Sequence, residues 1–233
     1  MSRLAVVTGG NKGIGLATTR RLLEAGCEVA VVARDFTGFP LAGEARVRAV
    51  PFDLSRVEDI PALVAEIGEI DILVNNAGIM HALPWDAYPR EKMETLLRVN
   101  LEAPLALMRE AGRGMAERGA GRIVNNASLA AHTGHPDVWY GISKAGLKNA
   151  TKSFARLLGP RGVVVNAVAP GPAETDMLDT IPEPRRKAVL EAVYTGRFCR
   201  ADEVAAAIAW LALESPEYIN GVCIDLNNGS FPR

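Results

Sequence analysis

The chain has 233 residues, 48% of them apolar, and a formal net charge of −1. That length suits one doubly wound α/β domain with ample material for a core. Near-neutral charge without long runs of one sign argues against a nucleic acid or an anionic membrane surface as partner. Cys27, Cys199 and Cys223 are odd in number and lack metal-ligand spacing, so they read as small apolar residues in a reducing compartment. The strand pattern starts at residue 3, which leaves no signal peptide, and no apolar run reaches ~18 residues. The expectation is a soluble cytoplasmic protein that engages no membrane and no metal.

Residues 3–8 (RLAVVT) form a short apolar strand, and GGNKGIG then opens a helix lasting to about Ala25. Glycines between a strand and a helix let the backbone turn tightly and approach a phosphate held on helix-terminal N–H groups. The spacing Gly9-x-x-x-Gly13-x-Gly15 differs from G-x-G-x-x-G, and Asn11, Lys12 and Ile14 fill the positions between. A second strand, EVAVVAR (28–34), ends on Arg34 followed by Asp35. At such a strand end a carboxylate accepts ribose hydroxyls, whereas a guanidinium binds a 2′-phosphate. Either Arg34 or Lys12 alone reads as a solvated surface charge, and Asp35 is placed to reach a ribose. Only about ten residues, with Gly38, Pro40 and Gly43, separate Arg34 from the next strand (45–50), too few for a full crossover helix.

FDLS (52–55) leads to an amphipathic helix over 56–68, and DILVNNAG (71–78) is the fourth strand with a polar end, Asn76, Ala77 and Gly78. Residues 87–118 read as one long helix with an apolar face of Met93, Leu97, Leu101, Leu105 and Met108, bent at Pro104. Asn100 lies in that stripe, where a buried amide must find partners or cost about 1–3 kcal/mol.

The chain is organised around residues 121–158. GRIVNNAS is a β-branched strand ending on Ser128, a loop carrying His132 and His135 follows, and a helix runs from near Val138 to Leu158. Tyr140 and Lys144 stand four apart and share one helical face. A free phenol titrates near ~10, and a cation within about 4–6 Å pulls that value down, towards the range that a general acid needs. The two loop histidines read as solvated. GVVVNAVAPG (162–171) is a near-continuous apolar strand covered on both faces. A turn at PGPAET (170–175), a Pro- and charge-rich stretch at 176–196, a helix at 201–213 and a last strand at 221–229 complete the chain.

TGGNKGIG (8–15), NNAG (75–78), Asn100, Ser128, YGISK (140–144) and PGPAET together resemble the short-chain dehydrogenase/reductase family over almost the whole chain. The resemblance implies a single Rossmann domain over 1–233, with about seven mostly parallel strands, helices on both faces and a substrate lid around 176–196. It implies catalysis by Asn100, Ser128, Tyr140 and Lys144. Ser128 would bind the carbonyl oxygen and Tyr140 protonate it, while Lys144 lowers the Tyr140 pKa and holds the nicotinamide ribose. Asn100 would kink the backbone around a relay water. The dinucleotide would lie on Gly9, Asn11, Lys12, Gly13, Ile14, Gly15, Arg34, Asp53, Leu54, Asn76, Ala77, Gly78, Tyr140, Lys144, Pro170, Gly171 and Thr175. Ala33 stands where NAD-preferring relatives carry an acid, which with Lys12 and Arg34 favours NADP(H) over NAD(H). Asp53 reads equally as a turn residue. The implied reaction interconverts a ketone and a secondary alcohol, with a 3-oxoacyl thioester as one substrate class and a sugar, polyol, steroid or secondary-metabolite carbonyl as another. A catalytically silent NADP(H)-binding regulator is the reading outside enzymology. Pairing of the two long helices through Leu107, Leu147, Phe154 and Leu157 would give a homotetramer or homodimer.

Overall fold

The computed structural model describes residues 2–232, apart from the side chain of Thr180. Seven strands form one parallel sheet: β1 (Leu4–Thr8), β2 (Glu28–Ala33), β3 (Val47–Pro51), β4 (Ile72–Asn75), β5 (Gly121–Asn126), β6 (Val163–Pro170) and β7 (Cys223–Leu226). Their order, β3-β2-β1-β4-β5-β6-β7, reverses direction between β1 and β4. In a doubly wound sheet that switch point opens a crevice at the carboxyl ends of the strands.

Helices cover both faces, which is why the central strands are apolar runs and not alternating ones. On one face α1 (Gly13–Glu24) and α8 (Ala201–Leu213) pack Leu22, Val204 and Ile208 on Val7, Val31 and Val124. On the other, α2 (Ile60–Ile67), α4 (Ala103–Arg118) and α6 (Val138–Leu158) pack Leu63, Leu107, Met115 and Leu147 on Val6, Leu73 and Ile123. β6 is buried along all eight residues. No described helix is long and apolar enough to cross a membrane. The short connection between β2 and β3 holds only turns, as its length demands.

Three sequence expectations need correction. The predicted helix over 87–118 is α3 (Arg90–Leu97) and α4 joined by a π turn at Arg98–Glu102, so the irregularity is centred on Asn100 and precedes Pro104. A wide turn also rotates the stripe: the fully buried residues are Leu96, Leu107, Met108 and Met115, while Met93, Leu97, Leu101 and Leu105 are only partly covered. Finally, the segment before α6 is more than a loop, because Ala130–Thr133 makes one helical turn, α5. The 176–196 stretch contains α7 (Glu183–Ala192).

Candidate active site

A cavity of about 1040 Å³ opens at the switch point. Every residue expected from the sequence in a catalytic or dinucleotide-binding role lines it, except Gly15 and Asn100. Gly15 serves the backbone: a Cβ there would stand 2.0 Å from the Gly9 carbonyl oxygen. Gly13 has φ +52°, and a Cβ on it would press on the Thr175 methyl at 3.2 Å, so the glycine loop and the 170–175 turn close on each other. Lys12, at the N-cap of α1, provides no side-chain cap, and the first turn has no acidic residue. Free N–H groups and an uncompensated helix dipole at a cavity wall fit a phosphate. The residues present therefore suit a dinucleotide.

Short polar side chains tie the strand ends together. Thr8 Oγ1 accepts from the N–H groups of Asn76 and Ala77, both at 3.0 Å. Asn75 Nδ2 donates to Asn125 Oδ1 (2.8 Å), and Asn126 Nδ2 to Asn76 Oδ1 (2.9 Å). The buried Asn126 Oδ1 has no partner among the described residues, which leaves an acceptor at the cavity wall. At the other end Asn11 Nδ2 donates to the Asp35 carbonyl (2.8 Å), anchoring the glycine loop to the end of β2. The carboxylate of Asp35 accepts from Thr37 N–H (2.8 Å) and Thr37 hydroxyl (2.7 Å), which holds its pKa below the ordinary value. Asp53 likewise accepts from Ser55 N–H (2.9 Å) and so caps its own turn, as the alternative reading had it, while still facing the cavity. Lys12 Nζ pairs with Asp176 (2.7 Å) at an exposed position, and Arg34 is exposed.

Asn100 lies beneath the cavity floor. Its Oδ1 accepts from Ile79 N–H and its Nδ2 donates to the Ile79 carbonyl, both at 2.8 Å, with Ser143 Oγ at 3.2 Å. The amide is thus satisfied as a brace for the segment after β4. A Cβ on Gly78 would stand 3.3 Å from Lys144 Nζ and 3.5 Å from Asn100 Oδ1, so Gly78 lets both approach the floor.

Tyr140 and Lys144 are both buried, on the same face of α6. Lys144 Nζ donates to the Asn126 carbonyl (2.8 Å) and lies 5.8 Å from the centroid of the Tyr140 ring. The ammonium is expected to pull the phenol down, and the burial of Tyr140 acts in the opposite sense. Burial pushes the Tyr140 pKa above its ordinary value; the hydrogen-bonded Ser128 hydroxyl lowers it and the Asp137 charge raises it further. Burial also pushes Lys144 down, to about 8. Both groups lose hydration, which disfavours the charged form of each.

Sequence reasoning missed Asp137. Its buried carboxylate caps α6 by accepting from Tyr140 N–H (3.1 Å), and also accepts from His81 N–H (3.1 Å), Ala82 N–H (3.0 Å) and the Tyr88 hydroxyl (3.3 Å). Burial, and then this carboxylate, raises the Tyr88 pKa. An aspartate immediately before a helical pattern is a readable N-cap signal; its other three partners are not. The histidines are also not solvated. His135 lines the cavity, 5.1 Å ring to ring from Tyr140. His132 stacks on Phe231 and lies between Lys148 Nζ (2.9 Å from Nδ1) and Asp225 Oδ1 (3.2 Å from Nε2). With Cys223 and Asp225 it forms a group of metal-capable ligands within 4.8 Å, away from the cavity, but both ring nitrogens already face partners.

Comparison with known proteins places this geometry. Residues 9–230 match the family model described as enoyl-(acyl carrier protein) reductase. The chain is 33% identical to an acetoacetyl-CoA reductase of Allochromatium vinosum over 99% of each chain. It is 34% identical to a 3-oxoacyl-[acyl-carrier-protein] reductase of Vibrio cholerae, covering 98% of this chain and 97% of that one. A Beutenbergia cavernae structure assigned as an NAD(P)-dependent gluconate 5-dehydrogenase, with NADP bound at low occupancy, superposes with a TM-score of 0.92 at 29% identity, over 98% and 96% of the two chains.

Proposed function

The chain belongs to the short-chain dehydrogenase/reductase family of oxidoreductases, and from that premise we propose that it interconverts a ketone and a secondary alcohol with NADP(H). One observation carries the reading: Ser128, Tyr140 and Lys144 line one cavity together with an uncapped, glycine-rich helix N-terminus. When bound, the nicotinamide supplies the hydride that goes to the carbonyl carbon, or accepts it in reverse. Ser128 Oγ holds the carbonyl oxygen, and the Tyr140 phenol, beside it, gives that oxygen its proton. The elevated Tyr140 pKa keeps the phenol protonated, the form that reduction needs. Lys144, held by the Asn126 carbonyl, would hold the nicotinamide ribose and supply positive charge as the phenol loses its proton. Asn100, through Ile79, fixes the floor, and its turn carries the proton relay towards Lys144.

The preference for the phosphorylated dinucleotide rests on charge. Arg34 lines the cavity at the end of β2, and the neighbouring Asp35 has one carboxylate oxygen held by Thr37. Asp53, Leu54 and Thr175 complete the walls. We expect NADPH to bind more tightly than NADH, and Arg34→Ala to weaken NADPH alone by about 1–3 kcal/mol, the worth of a charge-assisted contact. Equal affinity of the parent protein for both dinucleotides, by calorimetric titration, rules this out. Turnover of a ketone and alcohol panel, followed by nicotinamide absorbance, tests the reaction itself.

Assembly follows from the surface between α4 and α6. Leu107 and Leu147 are buried in the protein's own core, so they do not belong to a contact. Leu157 is 69% exposed and borders a groove with Phe154, Gly112 and Ala116. Pairing of this face about a two-fold axis gives a homodimer or, doubled, a homotetramer.

A further inference from the structure

One cation of the cavity has no task in the reaction above. The cationic residues lining it are Lys12, Arg34, Lys144 and Arg185, and its carboxylates are Asp35, Asp53 and Asp176. Lys12 is paired with Asp176, Arg34 stands at the dinucleotide end, and Lys144 supports Tyr140. Asp35 and Asp53 are held by Thr37 and Ser55. Arg185, on α7, therefore pairs with none of the carboxylates that line the cavity. Its sequence neighbour Arg186, equally half-buried, faces Asp179 at 3.8 Å.

Arg185 turns inward and donates from Nη2 to His135 Nε2 at 2.8 Å. An arginine only donates, so Nε2 must accept. The ring is thus neutral, and its Nδ1 lies against the Asp137 backbone, 3.1 Å from the N–H and 3.2 Å from the carbonyl oxygen. Burial and the Arg185 charge both hold the His135 pKa below its usual value, in keeping with that state. Asp137 acts on Arg185 through its charge, but it already accepts four donors and takes none from Arg185. A guanidinium has five N–H donors, and this half-buried one spends one of them on a neutral ring. A partly dehydrated charge with spare donors at a cavity wall is costly unless an anion meets it. The ring it touches stands 5.1 Å from that of Tyr140.

We propose that Arg185 is the specificity residue for a substrate carboxylate, so that the preferred substrate is a small oxo- or hydroxycarboxylate whose acid group binds Arg185 while its carbonyl meets Ser128 and Tyr140. This rests on the ketone–alcohol reading above and narrows it. His135 acts as the positioning residue, holding the guanidinium one imidazole away from the reacting centre. Ile79, Ile181 and Val189 line the same cavity and suit the short carbon chain between the two ends.

The test compares kcat/KM for acetoacetate and levulinate with that for their methyl esters, in the parent, Arg185→Gln and Arg185→Lys proteins shown to melt alike. The expected result is that the parent prefers the acids, that Arg185→Gln lowers the acid-to-ester ratio at least tenfold, and that Arg185→Lys restores part of it. A structural role for Arg185 lowers both substrates together and leaves the ratio unchanged, which overturns the proposal. If no ketone is reduced, the reaction assigned above fails, and the anion site is read separately by calorimetric titration of levulinate and acetoacetate with and without NADPH. Binding to the parent that Arg185→Gln abolishes upholds the site; no binding of either acid to the parent overturns it.

Discussion

The two walls of the cavity are built on opposite plans. On the dinucleotide side, polar groups at the ends of β1, β4 and β5, neighbouring strands of one sheet, answer one another: Thr8 with Asn76 and Ala77, Asn75 with Asn125, Asn76 with Asn126. On the other side, His135, Asp137 and Arg185 come from a loop, a helix cap and α7, which no ladder of the sheet joins. The first wall is organised before any ligand arrives. The second keeps charge and donor capacity in reserve. The contrast is between a surface common to any dinucleotide enzyme and one that selects a substrate.

The largest effect belongs where the two walls meet. Tyr140→Phe keeps the buried ring but removes the O–H beside Ser128, so turnover should fall by about 10²–10⁴-fold with NADPH affinity almost unchanged. Near-parental turnover in a variant that melts like the parent removes Tyr140 from the mechanism and collapses the distinction between the walls.

Lys144→Met should act on both walls, lowering dinucleotide affinity and turnover together. It also carries a stability signature. Because the folded-state pKa is lowered to about 8 from 10.5, the unfolded chain binds more protons between those values, and the charged lysine opposes folding below that window. Replacing it should raise the melting temperature at pH 7, and the gain should shrink as pH rises through 8 towards 10.5. A variant that melts lower at pH 7 contradicts the assignment of burial as the dominant influence.

Asp137→Ala is smaller and tests the substrate wall alone. It removes the α6 cap and strands buried N–H donors, at a cost of about 2–4 kcal/mol in denaturant unfolding. Removing the carboxylate also removes a charge that raises Tyr140, so the alkaline limit of ketone reduction should move to lower pH. An unmoved limit means that the two groups are not electrostatically coupled. The smallest effect on chemistry is expected from Leu157→Glu, which lies outside both walls. It should dissociate the assembly in light scattering while leaving the melting temperature within about 0.5 kcal/mol of the parent in stability terms. A parent that is strictly monomeric at micromolar concentration contradicts the pairing.

Much of this was legible in order along the chain. The glycine turn, the strand ends and the Tyr140–Lys144 pair are local patterns: strand, turn and helix periods put these residues at fixed places whatever the rest of the protein does. The register of the parallel sheet then brings them to one crevice. The reading failed wherever burial or distant packing decides. The helix at 87–118 widens into a π turn because Asn100 finds its partners on Ile79, a contact no periodicity contains. Leu107 and Leu147, apolar residues on long helices, turned inward and not towards a partner.

The sequence by itself determined the fold class and singled out the glycine turn and the Tyr140–Lys144 pair, since each depends on residue types at short, regular spacing. Only the tertiary structure decided the electrostatics and the substrate wall. Whether Lys144 lowers Tyr140 or burial raises it depends on how much water each retains, and spacing does not encode hydration. Whether Arg185 or Arg186 is the one that meets His135 depends on which way α7 lies over the cavity. Long-range packing sets that orientation, and packing draws on the whole chain at once.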